Sequence, residues 1–255
     1  MQLDGLRAVV TGGVSGLGLA VTRRILKSGG QVVVMDVNEA GWKALAEELS
    51  ENAHFLPTDV TDPAAVDASI RSATDALGHI SLTVNCAGVM DGARVVGRYR
   101  LYSTEAFRRV IEVNLVGTFN VCRAAACSMQ LNGADDNGER GVIVNTTSIA
   151  AWEGQVGQTA YAASKGGVVS MTLPMAREFA RFGIRVMAIA PGVFHTPAMD
   201  SLSEPAREHL IQSIPFPSRL GDPDEFASLA LAIYENPMLN GEVIRLDGGL
   251  RMPAM

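Results

Sequence analysis

The run Arg7-Ala8-Val9-Val10-Thr11-Gly12-Gly13-Val14-Ser15-Gly16-Leu17-Gly18 decides the fold. Its first five residues form a short apolar strand, and the chain passes straight from them into a glycine-rich turn that opens a helix over 16–28. Gly12 permits the tight turn, while Gly16 and Gly18 let the backbone come close to a bound pyrophosphate. A helix that starts there offers unpaired N–H groups and its positive dipole end to phosphate, and Ser15 and Leu17 are placed to add contacts. Such glycine patterns also occur in unrelated loops. The position between a first strand and a first helix makes this one a dinucleotide-binding signature.

Outward from the turn, the second apolar run ends in Asp36, eighteen residues past Gly18. A carboxylate there accepts hydrogen bonds from both hydroxyls of an adenosine ribose and repels a 2′-phosphate. Neither the glycine turn nor the position after Asp36 holds an Arg or Lys. The expected cofactor is NAD rather than NADP. Capping of the following helix is the lesser use for Asp36.

The remaining chain alternates short β-branched runs with longer amphipathic stretches, the pattern of a parallel sheet covered by helices. Strands are predicted over 7–11, 31–36, 54–57, 82–85, 141–147, 185–190 and 242–246. Helices are predicted over 16–28, 38–50, 63–77, 104–130, 158–182, 203–213 and 223–234. No linker, repeat or low-complexity tract divides residues 1–255, so one α/β domain is expected. Two connections, 89–103 and 192–217, exceed the usual length of about two to six residues. Both follow strands, at the carboxyl edge where open α/β sheets bind ligands, and are the predicted substrate walls.

Composition narrows the class. The 255 residues are 47% hydrophobic and 19% charged, with 26 glycines, which suits a well-filled soluble core. A net charge of -6 gives no basic stripe for nucleic acid. The four histidines are scattered, and Cys86, Cys122 and Cys127 have neither metal nor redox spacing; the thiols are expected reduced, as in a cytosol-like compartment. The N-terminus lacks the charged-then-apolar pattern of a signal peptide. No apolar run is read as reaching the roughly 18 residues that span a bilayer. A cytoplasmic protein without membrane or nucleic-acid partners is expected.

Tyr161-Ala162-Ala163-Ser164-Lys165 places Tyr161 and Lys165 one helical turn apart on one face. A phenol titrates near 10 and is a poor base at neutral pH; a neighbouring ammonium favours the phenolate. The spacing alone is unspecific, but Ser148 lies just past the strand over 141–147, at the same ligand-facing edge. Its hydroxyl can donate to a substrate oxygen gaining negative charge. Asn114 falls inside a predicted helix, where asparagine is mildly unfavourable.

Taken together, these residues resemble the short-chain dehydrogenase/reductase family: the turn at 11–18, Asn85-Cys86-Ala87-Gly88, Asn114, Ser148, Tyr161/Lys165 and Pro191-Gly192. The similarity runs from about Gly5 to Met252. It implies a Rossmann-type, doubly wound sheet of seven strands and a homotetramer. It implies a catalytic tetrad of Asn114, Ser148, Tyr161 and Lys165, with Asn114 holding a relay water between Lys165 and solvent. It further implies that Asp59 and Val60 flank the adenine, Cys86, Ala87 and Gly88 pass beneath the adenosine ribose, and Phe194 and Thr196 meet the nicotinamide end. Within the family, Gly154-Gln155-Val156-Gly157-Gln158, the run 189–194, the run 215–223 and the C-terminal 240–252 are similar to the 3-hydroxyacyl-CoA dehydrogenase type 2 branch, some of whose members also oxidise hydroxysteroids. His195 departs from the smaller residue of that branch's animal members. Arg94, Arg98 and Arg100 at the tip of the 89–103 connection can meet coenzyme A phosphates or form an ordinary solvated loop.

The resemblance therefore implies NAD-dependent interconversion of 3-hydroxyacyl-CoA and 3-oxoacyl-CoA, with Tyr161 as acid/base, Ser148 at the substrate oxygen and Gln155 lining the substrate cavity. Oxidation of hydroxysteroids or other secondary alcohols, 3-oxoacyl reduction and non-catalytic NAD binding stand as alternatives.

Overall fold

The computed structural model describes residues 1–49, 51–200 and 204–254. Seven parallel strands form one sheet in the order β3-β2-β1-β4-β5-β6-β7. They are β1 (Arg7–Thr11), β2 (Gln31–Asp36), β3 (Ala53–Pro57), β4 (Leu82–Asn85), β5 (Gly141–Thr146), β6 (Ile184–Pro191) and β7 (Val243–Leu246). The order reverses between β1 and β4, which opens a crevice at their carboxyl ends.

The helices are α1 (Gly16–Lys27), α2 (Glu39–Leu45), α3 (Pro63–Leu77), α4 (Thr104–Ile111), a π-helical segment (Glu112–Gly117), α5 (Thr118–Met129), α6 (Ala150–Glu153), α7 (Thr159–Phe179), α8 (Pro197–Asp200), α9 (Glu204–Gln212) and α10 (Pro223–Glu235). Strand alternation divides them into two layers. Ala8, Val10, Val32, Val34, Val142 and Val144 face α1 and α10, and Val9, Val33, Met35, Ile143 and Val186 face α3, α5 and α7. Burial of each such side chain contributes about 1.5–3 kcal/mol, so the sheet is fixed from both sides and its carboxyl edge is a rigid platform.

Three predicted elements change. The helix expected over 104–130 is interrupted by the π segment, where one residue more per turn re-aims Asn114. The helix over 38–50 ends at Leu45, because none of its helical residues is buried and the chain must turn to seat Leu49; Ser50 lies outside the described residues, as does Ser203 of the helix expected over 203–213. The helix over 158–182 begins at Thr159 and tightens into a 3₁₀ turn over Ala180–Phe182, closed by Gly183 at φ +72°. Short α6 and α8 were not foreseen.

The membrane reading also needs an amendment. The continuous helical run Thr104–Met129 contains an 18-residue window with mean hydropathy 1.2, apolar and long enough to cross a bilayer. More than half of that window is buried, and Val121, Cys122, Ala125 and Met129 pack into the core layer. It is built as a core helix.

Candidate active site

At the exit of β1, Thr11 Oγ1 accepts the N–H groups of Cys86 (3.2 Å) and Ala87 (3.1 Å). This contact draws the end of β4 against the glycine turn. A Cβ on Gly12 would lie 2.7 Å from Ala87 N, and Gly12 has φ +66°, so both space and backbone demand glycine. A Cβ on Gly18 would run into the Gly12 carbonyl oxygen. The turn is therefore packed on β1 as closely as backbone allows.

Ser15 is the extended N-cap of α1, yet its side chain makes no capping hydrogen bond, and the first turn carries no acidic residue. The N–H donors at this helix end are thus left for an external acceptor, and Thr196 lies over Gly16, with its Cγ2 3.5 Å from a Cβ placed there. An uncapped helix start beside a hydroxyl fits a pyrophosphate. Leu17 enters the helix with its side chain against the first core layer.

Asp36 closes β2 next to this turn. Its Oδ1 accepts from Asn38 N (3.0 Å) and its Oδ2 from Val14 N (3.4 Å), and exposed Val37 follows it. Asp59, at the end of the neighbouring β3, accepts from Thr61 N (2.9 Å) and Thr61 Oγ1 (2.8 Å). Val60 is buried against Gly117 and gives its carbonyl to Asn120 Nδ2 (3.0 Å). Asp36, Asp59 and Val60 thus lie at the carboxyl ends of β2 and β3, and Cys86, Ala87 and Gly88 follow the neighbouring β4. The Phe194 ring is buried against Gly221 in the core.

Across the crevice, Ser148 follows β5 and is 8% exposed. Its Oγ accepts from Ala150 N (3.1 Å), and its hydroxyl beside Tyr161 favours the phenolate form. Lys165 is buried, donates to the Thr146 carbonyl (2.8 Å), and holds its Nζ 5.8 Å from the Tyr161 ring centroid. Thr147 Oγ1 donates to the Lys165 carbonyl (2.8 Å), which staples α7 to β5. Burial pushes the Lys165 ammonium down to about 8. Burial also raises the Tyr161 phenol, an effect the Ser148 hydrogen bond only partly offsets. The expected depression of Tyr161 by Lys165 is therefore not a property of the chain by itself: the ammonium is turned to Thr146, and desolvation dominates.

Asn114 lies fully buried in the π segment. Its Oδ1 accepts from Val89 N (2.7 Å), and its Nδ2 donates to Val89 O (2.8 Å) and Ser164 Oγ (3.0 Å). Its carbonyl accepts from Thr118 Oγ1 (2.8 Å). A Cβ on Gly88 would lie 3.2 Å from Asn114 Oδ1 and 3.7 Å from Lys165 Nζ, so these three residues converge behind Tyr161. Thr11, Thr146, Thr147 and Ser164 were missed as site residues. Each lies within two residues of one that was singled out, but its role depends on a partner distant in sequence, which no local pattern shows.

The connection over 89–103 folds as a small hairpin, with a Val96–Leu101 bridge and Gly97 N on Arg100 O (2.9 Å). It docks on the segment after α6 through Ala93 N on Gly157 O (3.0 Å). Between them lies a cavity of about 360 Å³ lined by Arg94, Val95, Val96, Gln155, Val156 and Thr159, among others. A larger one of about 550 Å³ lies between His195, Arg207 and Arg219, and neither cavity is lined by Ser148, Tyr161 or Lys165. The smaller cavity is the one continuous in sequence with the Ser148 loop.

A doubly wound sheet, an uncapped glycine turn and a Ser–Tyr–Lys cluster at one edge define a nucleotide-dependent oxidoreductase. The chain belongs to the short-chain dehydrogenase family, whose sequence profile matches residues 7–207. It is 51% identical to human 3-hydroxyacyl-CoA dehydrogenase type-2 over 253 residues, 98% of this chain and 97% of that protein. Among solved structures, it superposes on 3-hydroxyacyl-CoA dehydrogenase type-2 from Mycobacterium avium with TM-score 0.93 and 43% identity, covering 99% of this chain and 98% of the other. A 3-ketoacyl-(acyl-carrier-protein) reductase from Brucella melitensis, solved with NADH, gives TM-score 0.88 and 31% identity over 98% of this chain and all of that one. The family relation makes the chain an enzyme acting on CH–OH groups with a nicotinamide cofactor.

Proposed function

We propose that this chain is an NAD-dependent 3-hydroxyacyl-CoA dehydrogenase. The carrying observation is the gathering of Ser148, Tyr161 and buried Lys165 at the carboxyl edge of β5, with Lys165 Nζ 5.8 Å from the Tyr161 ring centroid; the substrate class rests on the similarity to the human and mycobacterial proteins. The cofactor, when bound, supplies hydride exchange at its nicotinamide. Tyr161 takes the hydroxyl proton of the substrate in oxidation and returns it in reduction. Ser148 donates to the same oxygen as charge develops. Lys165 serves the cofactor ribose hydroxyls and lowers the proton affinity of Tyr161 as its ammonium reorients. Asn114, whose carbonyl accepts from Thr118 Oγ1, holds a relay water between Lys165 and solvent. Gly12, Ser15, Gly16, Leu17 and Gly18 hold the pyrophosphate side, Phe194 and Thr196 serve the nicotinamide end, and Asp36 selects NAD through the ribose hydroxyls.

The residues 89–103 and 192–217 form the substrate walls of one domain, and Gln155 lines the acyl side. A cytoplasmic homotetramer completes the reading: α5 and α7 carry half-exposed Phe119 and Leu173, and β7 is a sheet edge open to a second contact. The reductase alternative is weaker on cofactor grounds for biosynthetic NADPH, although the Brucella reductase was solved with NADH. Turnover of acetoacetyl-CoA, longer 3-oxoacyl-CoAs and a steroid panel, each with NADH and NADPH, tests the assignment. Highest kcat/KM on a 3-oxoacyl-CoA with NADH is expected; preference for a steroid or for NADPH overturns it.

A further inference from the structure

A four-residue helix cannot hold itself, since one turn leaves the nucleation cost of fixing its backbone unrecovered. α6 nevertheless sets the geometry of Ser148, whose Oγ accepts the N–H of Ala150 at its start. Its other end is tied to the far terminus of the chain. Glu153 Oε1 pairs with Arg245 Nη1 (2.9 Å) and Arg251 Nε (3.4 Å), and Oε2 accepts the N–H of Met252 (3.0 Å). Arg245 is oriented in turn by Asp247 (2.8 Å) and lies over the Trp152 ring (5.6 Å). Glu153 and Arg245 are only 18% and 23% exposed, so this pair is less screened than an ordinary surface pair.

Beyond Glu153 the two segments run together. Gln155 Nε2 donates to the Pro253 carbonyl (3.3 Å) and Val156 N to the Ala254 carbonyl (3.1 Å). Gln155 and Val156 are also walls of the cavity of about 360 Å³ beneath the 89–103 hairpin. We propose that Glu153 is a positioning residue that clamps residues 251–254 onto the Ser148 loop, making the C-terminal segment the outer support of the substrate wall. The functional part of this inference rests on the proposed reading that substrate enters beside Gln155; the clamp does not.

Glu153→Ala and Glu153→Gln test it in the full-length enzyme. With Glu153→Ala, amide exchange at Val156 and Met252 is expected to speed by about 10-fold or more while exchange in the Tyr161–Lys165 turn stays unchanged. KM for acetoacetyl-CoA rises about 10-fold with kcat within about 3-fold, and NADH affinity is constant. Glu153→Gln keeps an acceptor for Met252 and gives an intermediate KM, which also serves if the alanine variant does not fold. Unchanged exchange in both variants overturns the clamp. Faster exchange with unchanged KM overturns its role at the substrate wall. If wild-type enzyme turns over another ketone but not acetoacetyl-CoA, the substrate reading has failed and the KM comparison is made on that ketone.

Discussion

A phenol and an ammonium side by side bias each other only if the geometry points them at one another, and here the ammonium is turned to a backbone carbonyl. Lys165 is spent on the Thr146 carbonyl and burial raises the Tyr161 phenol, so the pair rests as a protonated phenol beside an ammonium held down to about 8. Removing the phenolic hydroxyl then removes the proton carrier alone. Tyr161→Phe is expected to lower turnover by about 10³-fold or more with NADH affinity unchanged, as read by steady-state rates and fluorescence titration. Turnover close to wild type would take Tyr161 out of the mechanism. Asp36 offers a second test at this scale, because a charged acceptor on ribose hydroxyls contributes about 1.5–3 kcal/mol. Asp36→Ser should cost roughly 10- to 100-fold in kcat/KM with NADH and narrow the gap to NADPH; an unchanged ratio would mean the carboxylate serves only Val14 and Asn38. Both residues were legible because their positions are local: one at the end of a strand, the other a helical turn from Lys165. Thr146 was not, since its part is played by a carbonyl that only the packed sheet presents to Lys165.

At the scale of elements, the close seating of α1 on β1 is what aims its uncapped N-terminus. A methyl on Gly18 meets the Gly12 carbonyl, and neither partner is a flexible side chain, so the helix itself has to retreat. Gly18→Ala should cost about 1–3 kcal/mol in urea denaturation and weaken NADH binding. Gly133→Ala, whose Cβ meets nothing within 4 Å, should stay within about 0.5 kcal/mol as a control. Equal stability of the two variants would show that α1 is not held this tightly. The glycine turn could be read from sequence because spacing alone demands it. The π segment could not: Asn114 and Gly117 look like mild helix flaws, and only the Val89 and Val60 contacts show why the extra residue is kept. Four-residue α6 and α8 offer no apolar period at all, so their existence follows from anchorage, not pattern.

For the whole molecule, alternation of β-branched and amphipathic runs was enough to reveal a helix-covered parallel sheet, because every residue of β5 and β6 is buried and such strands read as unbroken apolar runs. Strand order was not in that pattern; the resemblance implied a doubly wound sheet of seven strands, and the order itself came from the structure. One buried charge couples the site to the stability of the entire fold. Lys165 has an ordinary value of 10.5 and sits at about 8 when folded, so the folded state disfavours its charged form. The penalty is complete below pH 8, where folded and unfolded chains both carry the proton. It fades between pH 8 and 10.5, where the unfolded chain still holds a proton that the folded chain has released. The gap from 10.5 to about 8 corresponds to about 3 kcal/mol. Lys165→Met removes the charge and with it this dependence, though it also leaves the Thr146 carbonyl without its donor. Denaturation at pH 7 and pH 10 should therefore show wild type gaining roughly 2–3 kcal/mol on the variant as pH rises, whatever their absolute order at pH 7. Parallel stability curves would mean that Lys165 is hydrated in solution, and that the dry site required for tuning Tyr161 does not exist.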